Sequence, residues 1–291
     1  AKALKSASPC PHAAAQAPDG DAAAGLVEVP VDHLGRVDLG AWEGSLGAPG
    51  VALAALQAAN AEVGTRQPLT QAHDVCRRHG IPLLVDATAS LGRDPAPTSY
   101  DVLAGDARSW GGPPGVGVLV VPARTRWRRP GPPSELEGGR SDVAPTIPLA
   151  LAAAEAWRQL AAEAETERRE ARALVDRIRA AAAAIPETEV VGDPVDRLPH
   201  VVTCSALLAD GEALVLELDR RGFGVASGSA CTASTMEPSH VLAAMGALTH
   251  GNVRVTLPLG AVVPDRAATV ERFCAELPGA VAAVREQLAG R

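Results

Sequence analysis

The chain has 291 residues, 47% of them hydrophobic, and a formal net charge of -7. That balance leaves no basic excess for nucleic acid, no apolar run reaches the roughly 18 residues that a membrane span requires, and no signal-peptide core is expected near the first residue. Five cysteines, an odd number without paired spacing, argue for a reducing cytoplasm and against a disulfide framework. This length suits one large domain plus one small one.

Residues 1–25 are rich in Ala, Pro and Asp, and Pro9, Pro11 and Pro18 interrupt any long helix, so an irregular N-terminal segment is expected. Strands are expected at 26–31, 51–57, 81–86 and 116–121, with a helix over 67–79 between the second and third. Strands separated by helices predict an α/β fold with a mostly parallel, doubly wound sheet, placed within a large domain over 26–140. The Gly/Pro-rich stretch 130–148 reads as the crossing into a smaller C-terminal α/β domain over 141–291. There a long Ala/Arg/Glu helix is expected from about 148 to 184, ended by Pro186. Strands at 190–191 and 201–205, a helix over 211–221 and a last helix over about 264–288 complete the pattern. Aromatic residues make up 2% of the chain, so Val, Leu and Ala must build much of the core.

The stretch Ala226-Ser227-Gly228-Ser229-Ala230-Cys231-Thr232-Ala233-Ser234 sets one cysteine among glycine, alanine and small hydroxyl residues. A thiol with so little side-chain cover meets a second molecule's sulfur more readily than one packed between aliphatic groups. Glu237-Pro238-Ser239-His240-Val241-Leu242-Ala243-Ala244-Met245-Gly246 then reads as a helix with proline just inside its start. Asn252-Val253-Arg254-Val255-Thr256-Leu257 reads as a strand carrying an arginine. In this order, loop cysteine, helix and arginine strand resemble the C-terminal part of cysteine desulfurases, a branch of the class V aminotransferases with the fold of PLP-dependent transferases of fold type I. The resemblance implies that Cys231 attacks the sulfur of a cysteine substrate held on pyridoxal phosphate (PLP) and keeps it as a persulfide. It also implies that Arg254 grips the substrate carboxylate, a planar anion that suits a guanidinium fork.

Within the large domain, Ala59-Asn60-Ala61-Glu62-Val63-Gly64-Thr65-Arg66-Gln67-Pro68 resembles the family segment whose asparagine meets cofactor and substrate, and that role falls on Asn60. Val85-Asp86-Ala87-Thr88-Ala89-Ser90-Leu91-Gly92 resembles the segment whose aspartate keeps the cofactor's pyridine nitrogen protonated, a role that falls on Asp86. The alternative for Asp86 is a cap on the next turn. Three positions then depart from the family. Ala89 stands where a glutamine bonds the cofactor's phenolic oxygen. In Asp106-Ala107-Arg108-Ser109-Trp110-Gly111-Gly112-Pro113-Pro114-Gly115-Val116-Gly117, counting back from the glycines places Ser109 at the cofactor lysine, and a serine cannot form a Schiff base. Asp106 occupies the place of a phosphate-binding serine, where a carboxylate is unfavourable unless Arg108 offsets it. Lys2 and Lys5 are the only lysines in the chain, far in sequence from Ser109.

The resemblance covers about residues 26–288. The family's leading helix and Gly/Thr phosphate loop have little room ahead of residue 26, and the histidine that stacks on the cofactor ring would fall within 6–12, where His12 has no settled register. Two functional readings stand. One is a cysteine desulfurase-like protein in sulfur transfer, with Cys231 as the persulfide-carrying thiol. The other is a PLP-free pseudoenzyme acting as partner, regulator or sulfur relay of an active desulfurase. The implied cofactor is PLP, not held through a lysine. The implied partners are cysteine or a persulfide donor, a sulfur-acceptor protein, and a second subunit, identical or related, met through the large domain. His200, His240 and His250 are expected as surface or capping residues, and no Cys or His spacing closes a metal site. Cys76, Cys204 and Cys274 lie in regular elements, so Cys231 is expected to be the most reactive thiol.

Overall fold

The computed structural model describes residues 2–6, 26–129, 131–227 and 238–290, the first five as backbone. Cys231 and His12 fall outside the described residues. A six-stranded sheet is built from β1 (Lys2–Ser6), β2 (Leu26–Val29), β3 (Val51–Gln57), β4 (Leu83–Asp86), β5 (Val102–Asp106) and β6 (Gly117–Val120), in the order β2-β1-β3-β4-β5-β6. The first five strands pair in parallel. Strand β6 runs antiparallel to β5, with Asp106 opposite Gly117. Its connection, residues 107–116, is shorter than the dozen or so residues that a parallel crossover needs. A 3-10 turn over Ala107–Trp110, closed by Gly111 at φ 81°, reverses the chain there.

Sequence and structure differ at the N-terminus. Residues 1–25 read as irregular, yet Lys2–Ser6 forms a strand hydrogen-bonded to both β2 and β3. Pairing on both edges decides strand formation here, overriding a weak local pattern. Helix α1 (Leu39–Leu46) was also not expected, because Gly40 and Gly44 obscure its period. Its signal is local: the Asp38 carboxylate accepts from the Ala41 amide at 2.9 Å, and Trp42 and Leu46, four residues apart, both face the core. Helix α2 (Leu69–Arg78) follows Pro68 and buries Ala72, Val75 and Cys76.

The C-terminal part holds an antiparallel sheet, β7 (Thr188–Val191), β8 (Val201–Ala206) and β9 (Asn252–Thr256), in that order. Helices α3 (Ile147–Ala183), α4 (Gly211–Arg220) and α6 (Arg266–Ala289) cover it. The core between them centres on Val175, Ile178, Leu218 and Leu277, with Phe223 edge-on to Phe273 at 5.4 Å between centroids. Helix α5 (His240–Met245) is capped by the Ser239 hydroxyl, which accepts from the Leu242 amide at 3.2 Å. Pro238 therefore precedes the cap and does not sit inside the helix. Helix α3 serves both sheets. Toward its N-terminus the Ala153 carbonyl accepts from Trp110 Nε1 at 3.0 Å and Trp157 packs edge-on to Trp110, while Leu174 to Ala182 belong to the second core. No described helix is long and apolar enough to cross a membrane.

Candidate functional site

Open parallel sheets place ligands beyond the carboxyl ends of their strands. A cavity of about 590 Å³ lies there, with Thr88 and Ala89 following β4, Asp106 ending β5, and Arg108 and Ser109 in the 3-10 turn. Arg93 completes that side, and the small sheet supplies His200, Arg254 and Thr256. Arg254 and the pair Arg108 and Ser109, read from two separate motifs, are thus brought to one cavity. Asn60 and Asp86 do not line it, although their near neighbours Ala61 and Thr88 do.

Each side chain has a local reason for its position. The Asn60 oxygen accepts from the amides of Glu62 and Val63 at 2.8 and 3.0 Å, fixing the turn after β3, while its amide donates to Gln57 at 3.3 Å. Asp86 accepts from both the amide and the hydroxyl of Thr88, at 2.9 and 2.7 Å, so it caps the turn after β4. Asp106 accepts from the Arg108 amide and guanidinium, the closest contacts being 2.9 Å. That hydrogen-bonded arginine holds the Asp106 carboxyl below its ordinary range. Ser109 Oγ lies 2.8 Å from the Leu91 carbonyl and 2.7 Å from that of Asp106, so its proton is engaged by main-chain oxygens.

The opposite wall is less saturated. His200 was expected at the surface or as a cap, but it is 5% exposed and its Nδ1 has no hydrogen-bond partner. Burial, and then the nearby Arg93, push its pKa well below 6.5, so the ring is neutral. Arg93 is also buried; its guanidinium donates to the Leu257 carbonyl at 2.9 Å and stands 3.7 Å from Glu167. Burial brings its pKa down to about 10. Glu167 is paired more closely with Arg266, at 2.6 Å, and joins α3 to α6. His240 is half-buried with Nε2 unpartnered, whereas His250 is exposed, as expected.

One described end of the cysteine loop reaches this wall and the other is held beside it. Ala226 exchanges two backbone hydrogen bonds with Arg254, at 3.1 and 2.6 Å. Ser239, beyond the loop, donates to the buried Glu62 carboxylate at 2.6 Å. Burial raises the Glu62 pKa, opposed by the Ser239 hydrogen bond and the charge of Arg254. Glu62, Arg93 and His200 received no site role from the sequence. Of these only Glu62 carried a signal, its place beside Asn60 in a recognised segment. Away from the cavity, burial pushes the thiols of Cys76 and Cys204 up to about 11 and raises that of Cys274.

A lysine-linked PLP needs a primary amine, two donors for its ring and phosphate, and little competing negative charge. The cavity lining contains no lysine; Lys2 and Lys5 both lie on β1. Ala89 offers no donor, Ser109 is engaged by main-chain carbonyls, and Asp106 brings a carboxylate. The lining residues do not fit a lysine-linked PLP.

The family model described as aminotransferase class-V matches residues 9–260. The chain is similar to a cysteine desulfurase of Cereibacter sphaeroides, 35% identical over 275 residues, which are 88% of this chain and 66% of that protein. It is similar to cysteine desulfurase NifS of Azotobacter vinelandii, 33% identical over 269 residues, 89% of this chain and 65% of that protein. The chain thus spans just under two thirds of the length of these curated relatives. Among solved structures, a NifS-like protein from Rickettsia africae superposes with a TM-score of 0.79 at 19% identity, over 94% of this chain and 74% of that one. DndA from Streptomyces lividans superposes with a TM-score of 0.63 at 26% identity, over 79% and 67%. The matched span and the identity of these relatives lead to one assignment: the chain belongs to the aminotransferase class-V family.

Proposed function

We propose that this chain works in sulfur transfer as a cysteine desulfurase-like protein, with Cys231 as the thiol that carries sulfane sulfur. The observation that carries the reading is the convergence of Arg254, Arg108 and Ser109 on one cavity, with Ala226, five residues before Cys231, bonded to the Arg254 backbone. The roles proposed are persulfide carrier for Cys231 and carboxylate grip for Arg254, with Asn60 and Asp86 shaping the turns beside the cavity. The reaction is transfer of one sulfur: the Cys231 thiolate attacks the outer sulfur of a donor persulfide, the donor's S–S bond breaks, and the donor leaves as a thiolate that takes a proton. No external oxidant is consumed. A sulfur-acceptor protein then reverses the exchange on its own thiol.

The lack of a lysine in the lining favours a specific form of this reading, a PLP-free relay that takes sulfur from a persulfide donor instead of releasing it from cysteine itself. Cytoplasmic location and association through the large domain, with a second copy or a related subunit, belong to the same proposal. The test is mass spectrometry of the whole chain after exposure to glutathione persulfide and, separately, to cysteine with PLP. The expected result is gain of one sulfur on Cys231 from the persulfide, none from cysteine with PLP, and none in Cys231→Ser. Gain from cysteine with PLP alone overturns the relay form, and persulfide on other cysteines but not on Cys231 overturns the whole reading.

A further inference from the structure

A cation stands at each end of the wall that β9 gives the cavity. Arg254 and Thr256, two residues apart and therefore on one face of the strand, both line it. The Arg254 guanidinium makes no hydrogen bond or ion pair among the described residues. Just past the strand, the Leu257 amide donates to the His200 carbonyl at 2.8 Å and the Leu257 carbonyl accepts from Arg93 Nη2 at 2.9 Å, which fixes His200 and Arg93 at the other end. Three residues of extended chain, about 10 Å, separate Arg254 from Leu257. The two guanidinium groups also act on different neighbours, Arg254 on Glu62 and Arg93 on Glu167, Arg266 and His200. Arg93 and His200 line the cavity while only 8% and 5% exposed. Behind Arg93 the buried charges do not balance. Glu167 stands 2.6 Å from buried Arg266 and 3.7 Å from Arg93, and the second carboxylate near Arg266, Glu170 at 3.3 Å, is exposed. His200 adds a neutral ring whose Nδ1 has no partner.

We propose that the cavity holds a small persulfide donor with two well-separated carboxylates, one on Arg254 and the other on Arg93 beside His200, an inference that rests on the sulfur-relay reading above. Charge sets the number of acidic groups. Arg93, Arg108 and Arg254 line the cavity against Asp106 alone, and Asp106 is committed to Arg108 at 2.9 Å. That leaves two cations for two anions. A donor with one carboxylate satisfies Arg254 and leaves Arg93 desolvated, so the second carboxylate meets a buried cation short of a counter-ion. A compact dianion such as phosphate reaches one end of the wall and not both. Size favours a free molecule over a protein-bound persulfide: about 590 Å³ lies within the range of small-molecule sites, and a thiol carried on a protein surface brings no carboxylate to groups as deeply buried as Arg93 and His200. Glutathione persulfide has the required chemistry, with a carboxylate at each end and the sulfur between them.

The test is calorimetric titration of the full chain with S-methylglutathione, which carries both carboxylates and has no sulfur to give, and with its two monoethyl esters and its diethyl ester. The expected result is saturable binding, weakened at least about tenfold by masking either carboxylate. Arg254→Met and Arg93→Met are each expected to bind the parent as weakly as the natural chain binds an ester, each indifferent to the masking of one particular carboxylate and still sensitive to the other. His200→Phe, which keeps a ring and removes its nitrogens, should weaken binding of the parent too. Circular dichroism of the variants is expected to match the natural chain, and the esters probe the same contacts with no substitution at all. Equal affinity for parent and diethyl ester, displacement of the parent by an equal concentration of inorganic phosphate, or indifference to the same carboxylate in both arginine variants would each overturn the two-point site. Thioether binding without sulfur gain on Cys231 from glutathione persulfide upholds the two-point site and overturns the relay reading; sulfur gain without thioether binding does the reverse.

Discussion

The two walls of the cavity use their polar groups in opposite ways. On the large-sheet wall Asp106 has turned to Arg108 and Ser109 to two carbonyls, and behind it Asp86 has turned to Thr88. Where the small sheet meets the large domain, His200 is buried with an unpartnered nitrogen, Arg93 beside it is desolvated, and Glu62, behind the lining and within the field of Arg254, is desolvated too. Hydrogen-bond capacity spent internally is unavailable to a ligand, while desolvated and unpartnered groups retain interaction energy for one. The side of the cavity around Asp106 and Ser109 is therefore self-satisfied, and the side around His200 and Arg254 keeps capacity for a ligand.

The largest expected effect breaks this contrast at Ser109. Incubated with PLP and then borohydride, the natural chain is expected to gain no reduced adduct, Ser109→Lys to gain one, and Ser109→Lys with Asp106→Ser to gain it at lower PLP concentration, read by peptide mass. An adduct on Lys2 or Lys5 of the natural chain would show that an amine reaches PLP after all. Next in size is the ion cluster that ties α3 and α6 behind Arg93. Arg266→Met leaves the buried Glu167 with only the Gly260 amide at 3.2 Å and Arg93 at 3.7 Å among the described residues, and losing one member of a buried pair costs about 3–5 kcal/mol. Urea denaturation should show that loss, whereas Arg108→Ala, on the surface of the cavity mouth, should leave the midpoint unchanged. Equal midpoints for Arg266→Met and the natural chain would mean that the cluster contributes nothing net.

How much of this was legible beforehand divides along the same line. The strands β3 and β4, the long helix α3 and the arginine strand β9 carry strong periodicity or motif and were readable within a few residues. Strand β1 was not, because a five-residue strand owes its existence to partners on both edges. Strand β5 hides behind the small residues Ala104 and Gly105; a Cβ on Gly105 would stand 2.6 Å from a terminal methyl of Leu91, which would have to shift. In the site, Arg254, Arg108 and Ser109 were readable because motifs fix their spacing along the chain. His200 and Arg93 were not, because their significance is burial and an absent hydrogen-bond partner, which depend on how two sheets approach each other. Asn60 and Asp86 were readable as positions, while their actual bonds, to their own turns, required the folded geometry.

The smallest expected effects are two opposed pH slopes on the open wall. His200 is a base whose folded pKa lies well below 6.5, so its contribution to stability is complete above the unfolded value and is lost as pH falls toward the folded one. Glu62 is an acid whose folded pKa is raised above 4.5, so its contribution is complete below that value and is lost as pH rises through the folded one. Proton linkage converts these directions into slopes of opposite sign. His200→Asn should therefore flatten the acid limb of the urea midpoint measured from about pH 4 to about pH 7, and Glu62→Gln should flatten the descent that begins just above the ordinary carboxylate range. The Glu62 slope is expected to be the shallower, because the Ser239 hydroxyl and the Arg254 charge oppose its burial, whereas the charge of Arg93 adds to the burial of His200. If His200→Asn kept the acid limb intact, the ring would be titrating as a solvated imidazole, and the difference between the two walls would be one of exposure and not of unspent hydrogen bonds.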